Sequence, residues 1–160
     1  VVLTLLGLEL QKLGINQTGV DTYFHHKATM EGKKIEGLES VYQQIEFVLS
    51  MGEGSEDDFI EHSIKDLKKT RQMLNDLIAA WRQGDEDNLY RLYIVPMKKD
   101  YPSLYETLIA ERNREWLSKI KRYLQTSQNE FILVGIGHLV GTDGIIDHLR
   151  RSGYIINKLD

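Results

Sequence analysis

Apolar residues recur along most of this chain at the three- and four-residue spacing of a helix face. Val2, Leu3, Leu5, Leu6, Leu8, Leu10 and Leu13 predict a short amphipathic helix ending near Gly14. Gly19-Val20-Asp21 opens a second helix with Asp21 as its N-cap, and Tyr23 is expected in the core. Ser40 caps a third, whose buried face is read as Val41, Ile45, Val48 and Leu49. An exposed loop follows over Gly52–Asp58. The clearest stripe is Ile60, Ile64, Leu67, Arg71, Leu74, Ile78 and Trp81, stopped by Gly84-Asp85. A short helix carries Leu89, Leu92 and Tyr93, and Pro96 and Pro102 bracket a lysine-containing loop. A longer helix runs from Pro102 to near Leu124, with Leu104, Leu108, Trp116, Ile120 and Tyr123 at its apolar positions.

Three segments break this period. Phe131-Ile132-Leu133-Val134 is a continuous apolar run stopped by Gly135, the pattern of a strand buried on both faces. Lys33–Leu38 and Tyr154–Leu159 read as further strands. Gly141-Thr142-Asp143 starts a helix with Ile145, Ile146 and Leu149 inside, and Gly153 stops it. The ending strand, helix, strand favours a right-handed parallel crossover. The expected fold is therefore α/β, with α+β as the alternative: a small mixed or parallel sheet covered by several helices, in one domain over residues 1–160. In such a sheet Glu39 and His138, each directly after a strand, leave at one edge, where open α/β sheets bind ligands.

Composition narrows the chemistry. With 160 residues, 41% hydrophobic and 28% charged, the chain suits one globular domain. Its net charge of -4 argues against a nucleic-acid partner, because the basic pairs Lys68-Lys69 and Arg150-Arg151 sit among acidic residues rather than in a basic stripe. The absence of cysteine excludes disulfides, thiolate metal ligands and a cysteine nucleophile. No apolar run reaches the roughly 20 residues of a membrane span. The acidic helices permit a homodimer without requiring one.

His138 is the first candidate for chemistry. Gly135 and Gly137 allow a tight turn and close backbone approach, and imidazole is both the commonest metal ligand and a base near neutral pH. The competing reading is a histidine hydrogen-bonded inside a turn. Glu39 comes second. It would share a metal or an acid–base pair with His138, or it would simply complement the dipole of a first helical turn. Arg112 and Asn113 sit mid-helix. Arginine there clamps a carboxylate or phosphate through parallel hydrogen bonds, or it makes a structural ion pair. The remaining histidines read as surface residues: His25 and His26 diverge around a helix, His62 has no His-Glu-x-x-His partner four residues on, and His148 lies ten residues past His138 on a helix that runs away from the strand edge.

The stretch Phe131-Ile132-Leu133-Val134-Gly135-Ile136-Gly137-His138-Leu139-Val140-Gly141 resembles the second Gly-x-x-His motif of the TraB/PrgY/GumN family, which includes the animal TIKI proteins. Five further segments agree in order. Gly19-Val20-Asp21-Thr22-Tyr23-Phe24 is similar to the family's GxD-aromatic segment. Gly32-Lys33 through Gly37-Leu38-Glu39 with Gln43 or Gln44 is similar to its GK…GLE…Q segment. Trp81–Asp85 resembles its W..GD turn, Glu111-Arg112-Asn113 with Trp116 its ERN..W segment, and Gly144 to Tyr154 its closing G…L…GY pattern. The resemblance implies a metal-dependent hydrolase or protease acting on a peptide or protein. It further implies an exported or periplasmic location and a divalent metal (manganese, cobalt or zinc) held by His138 and Glu39. Arg112 and Asn113 would then act on substrate or around the metal, with Gly135, Gly137 and Asp21 as further motif positions. The family carries another Gly-x-x-His near its N-terminus that this chain does not show. The chain is therefore expected to be the C-terminal part of a longer domain of this type, with its remaining ligand from residues before Val1. The alternative is a non-catalytic domain that sequesters a peptide or partner protein, using Trp81, Tyr90, Tyr93, Tyr101 and Tyr105.

Overall fold

The computed structural model describes residues 2–12, 14, 19–49 and 70–159. In order, these form helices Val2–Lys12, Val20–Met30, Val41–Leu49 and Thr70–Gln83, then a nearly continuous helical run to Tyr123, a 3-10 turn Ile136–His138 and a last helix Ile145–Arg151. The loop expected at 52–58 and the stripe positions Ile60, Ile64 and Leu67 lie outside the described residues.

Local chemistry sets several boundaries. Ser40 Oγ accepts from Gln43 N at 3.2 Å while Gln43 Oε1 accepts from Ser40 N at 2.9 Å, a reciprocal cap that starts Val41–Leu49. Gly84, at φ 62, closes the helix before it in the left-handed conformation. Asp85 then caps Glu86–Leu89 through Asn88 N. Asp21 is not an N-cap: the helix begins after Gly19, which occupies the cap position, and Asp21 lies exposed in the first turn. Pro96 and Pro102 do not bracket a loop. Pro102 starts Pro102–Tyr105 after the non-helical Tyr101, where a missing N–H costs nothing, and Pro96 lies within the helical run directly after the π-wound Tyr90–Ile94. Two segments, Tyr90–Ile94 and Glu106–Glu111, are wound as π-helix.

The expected sheet is absent, which corrects the α/β and α+β readings: among the described residues there are helices and turns and no strand. Lys33–Leu38, Phe131–Val134 and Tyr154–Leu159 are not laddered. Side chains answer their surroundings instead. Lys119 Nζ donates to Gly37 O at 2.6 Å, and Tyr123 OH donates to Glu36. Lys158 Nζ donates to Gly84 O. The run Phe131-Ile132-Leu133 is exposed, with Phe131 resting on Phe24 at 4.8 Å between rings, and Val134 is the residue of the run that packs inward.

The core has two parts. Ala80, Leu89, Ile94, Tyr105, Ile109, Ala110 and Val140 form one; Trp116, Leu117, Ile120 and Ile145 form the other; Leu139 packs against both. The turn after the 3-10 segment is thus wedged between the halves of the core. The helices Val20–Met30 and Val41–Leu49 contribute no buried residue. Val41, Ile45, Val48 and Leu49, expected as a buried face, are exposed, and so is Tyr23 at 60%. In Thr70–Gln83 the inward residues are Leu77 and Ala80 rather than Ile78 and Trp81.

Candidate functional site

Four of the sequence-derived residues meet in one place. Asn113 is wholly buried, at 0% exposure, and His138 is 7% exposed. The Asn113 amide nitrogen donates to Asp143 O at 2.7 Å and to His138 O at 3.3 Å. Two carbonyl oxygens therefore fix which way the amide faces, and Asn113 Oδ1 is left toward the ring, 2.8 Å from His138 Nδ1. An amide oxygen only accepts. His138 must therefore carry its proton on Nδ1, which leaves the lone pair on Nε2. Burial, and after it the charge of Arg112, pushes the imidazole from 6.5 down to about 4, so the ring is neutral at pH 7.

Trp116 joins this pair to the next. Its ring lies 4.5 Å from that of His138, centroid to centroid, and Arg112 Cζ lies 4.7 Å from the Trp116 ring. Arg112 grips Glu39 through both arms, Nε to Oε2 at 2.9 Å and Nη2 to Oε1 at 2.7 Å, while Nη1 donates to Leu108 O. Trp116 Nε1 donates to the same Glu39 carboxylate at 3.2 Å. Glu39 therefore reaches the site as the anchor of Arg112, with both oxygens engaged. The expected common sheet edge does not exist among the described residues; the long helix gathers Glu39 and His138 through Arg112, Asn113 and Trp116, one turn of a single face.

The two glycines before His138 differ. A Cβ on Gly137 would stand 2.5 Å from Tyr93 Cε1 and 3.5 Å from Ile109 Cδ1, so both π-helical segments press on this position. A Cβ on Gly135 would meet only His138 Cδ2, at 3.8 Å, an ordinary contact. Asp21 is exposed in the first turn of the Val20–Met30 helix.

Sequence reasoning did not connect Asp143, Lys98 and Tyr105 to one another or to His138. Lys98 Nζ and Tyr105 OH each donate to Asp143 Oδ2 at 2.7 Å. The Lys98 hydrogen bond, then that of Tyr105, outweighs burial and holds this carboxyl below its ordinary value. Burial and Asp143 push the Tyr105 phenol upward in turn. These partners are 45 and 38 residues away from Asp143 in the chain, so no local pattern could link them. Tyr105, grouped by sequence with a candidate binding face, is buried; of that aromatic group, Trp81 at 58% stands furthest out.

A divalent metal does not fit these residues by themselves. Among the described residues no three His, Asp or Glu side chains converge on one point, and Glu39 has given its oxygens to Arg112 and Trp116. Among the described residues no helix is long and apolar enough to cross a membrane. The model of the TraB/PrgY/gumN family matches residues 1–158. No curated protein and no solved structure matches the chain.

Proposed function

The chain belongs to the TraB/PrgY/gumN family, and from that premise we propose that it works as a hydrolase on a peptide or protein, with His138 Nε2 as the nitrogen that meets the reacting water. The observation that supports this most directly is the fixed tautomer: a wholly buried asparagine holds Nδ1–H, which leaves the lone pair of the neutral ring on Nε2. A positioned imidazole of this kind accepts a proton from water in the transition state. Its depressed basicity keeps it unprotonated over the whole neutral range, and the proton it takes from water goes to the leaving amine of the cleaved peptide. Arg112 contributes by charge, keeping the ring neutral, while Glu39 and Leu108 O keep Arg112 in place.

The test is cleavage of mixed peptide pools by the whole chain, read by mass spectrometry, with and without manganese, cobalt or zinc. His138→Gln is expected to lower cleavage by about a hundredfold or more, the scale of general acid–base catalysis. Cleavage by His138→Gln at the parent rate would overturn the reading. Calorimetric titration with the same ions separates the metal question: tight, saturable binding would place a complete metal site in this chain, supplied in part by residues beyond those described.

A further inference from the structure

The clamp on Asp143 has no evident duty of its own, yet it ends at the site. Asp143 stands in the turn Gly141–Gly144, which closes through Gly144 N donating to Gly141 O at 2.9 Å. Its carboxylate takes hydrogen bonds from Lys98 and from buried Tyr105, and Lys98 Nζ also lies 4.7 Å from the Tyr105 ring. Its backbone carbonyl accepts the shorter of the two bonds that orient Asn113, 2.7 Å against 3.3 Å for His138 O.

We propose that Asp143 is a positioning residue for His138: Lys98 and Tyr105, by holding the Asp143 side chain, place its carbonyl so that the Asn113 amide can face only one way, and this selects the Nδ1–H tautomer of the imidazole. The logic is that of an amide flip. With Asp143 O in place, turning the Asn113 amide over would set its oxygen against two carbonyl oxygens and its nitrogen against the ring. Once the Asp143 carbonyl moves away, only the longer contact with His138 O still opposes the flip, and the amide nitrogen meets the ring without conflict when the imidazole proton sits on Nε2. A flipped amide donates to Nδ1, which forces the proton to Nε2 and blocks the lone pair that the proposed reaction uses. The inference rests on the hydrolase reading only for that last consequence; the coupling between Asp143 and the tautomer stands or falls separately.

The experiment is nitrogen NMR of the whole chain with its histidines labelled in the ring, recorded at pH 7, with the His138 signals assigned by their loss in His138→Gln. Long-range nitrogen–proton correlations distinguish the two neutral tautomers directly. The parent protein is expected to show the Nδ1–H pattern alone. Asp143→Ala should shift His138 toward the tautomer mixture of a free neutral imidazole. Asp143→Asn, whose side-chain oxygen still accepts from Lys98 and Tyr105, should restore the parent pattern. Asp147→Asn, which breaks an ion pair with Arg151 on the neighbouring helix, should change nothing. Should Asp143→Ala fail to fold, the combination Lys98→Met with Tyr105→Phe decides, since it removes both donors and keeps the Asp143 backbone and the Tyr105 ring. An unchanged Nδ1–H pattern in a folded Asp143→Ala protein, or in that combination, would overturn the proposal. Loss of peptide cleavage in His138→Gln is read independently, so either idea can fail without the other.

Discussion

At the scale of single residues, the consequential feature is that Asn113, wholly buried, satisfies three partners at once. Asn113→Leu strands two carbonyl oxygens and a ring N–H, at about 1–3 kcal/mol for each group left unpaired. A total loss of roughly 3–5 kcal/mol, read by urea denaturation, is expected. Asn113→Asp is the sharper probe. It keeps the shape, sets a carboxylate against Asp143 O and His138 O, and raises the pKa of His138, which proton NMR titration would follow. His138 itself makes stability depend on pH. Its folded value of about 4 lies below the ordinary 6.5. Between these values the unfolded chain binds the proton and the folded chain does not. Stability contributed by the neutral buried ring is thus full above 6.5, is lost as pH falls toward 4, and changes little from this group below that. The loss is on the order of 2–3 kcal/mol after allowing for residual solvent access. Denaturation midpoints at pH 7 and pH 4.5 should therefore converge in His138→Gln, once other titrating groups are compared in both proteins. The same shift predicts that the acid limb of any cleavage–pH profile falls near 4 rather than 6.5.

At the scale of elements, the turn from Gly135 to Gly144 is built by close packing, and its glycines are not equivalent. Gly135→Ala should lie within about 0.5 kcal/mol of the parent, because its added methyl meets only His138 Cδ2, at an ordinary 3.8 Å, and the backbone has an ordinary φ of -60. Gly137→Ala pushes on Tyr93 and should cost about 1–3 kcal/mol. Gly144→Ala should cost the most of the three, because its Cβ would strike the backbone of Leu139 and Val140, which cannot swing aside as a ring can. A ranking with Gly135→Ala as the worst would mean that this turn packs differently. The helices here were legible in the sequence, since a long amphipathic period leaves little ambiguity: Pro102 to Tyr123 is helical throughout, and the reciprocal cap at Ser40 was half visible as a serine before an apolar face. The residues of the site were legible as types, through motif resemblance. Their partnerships were not, because Glu39 meets Arg112 across 73 residues and Tyr105 meets Asp143 across 38. The sheet was misread because extended backbone and β-ladder share one local signature. Four apolar residues in a row say that a segment is extended, not that a neighbour lies beside it. The π-wound segments were invisible for a related reason: one wider turn barely disturbs a 3.6-residue pattern.

At the scale of the molecule, burial among the described residues is concentrated in the second half. Described residues of the Val20–Met30 and Val41–Leu49 helices include none that is fully buried, whereas the run from Leu89 to Ile145 holds nearly the whole core. Hydrogen exchange should reflect this. Amides of Asn113 to Ile120 should be the slowest in the protein, and those of Ile132, Leu133, Ile155 and Ile156 should exchange early, since no ladder shields them. Slow exchange at the latter four would instead indicate strand pairing. The spacing of the site's partners along the chain also orders its assembly in time. During synthesis Glu39 is made long before Arg112, so a carboxylate waits, solvated, while 73 residues are added. Asn113 then precedes His138 by 25 residues, and the carbonyl that orients it belongs to Asp143, later still. Until Asp143 has been made and the turn has seated on the long helix, His138 is an ordinary imidazole, half protonated near its unshifted value and free to choose either nitrogen. A nascent chain therefore carries an ordinary histidine at this position, and the buried imidazole held by Asn113 comes into being as one of the last events of folding.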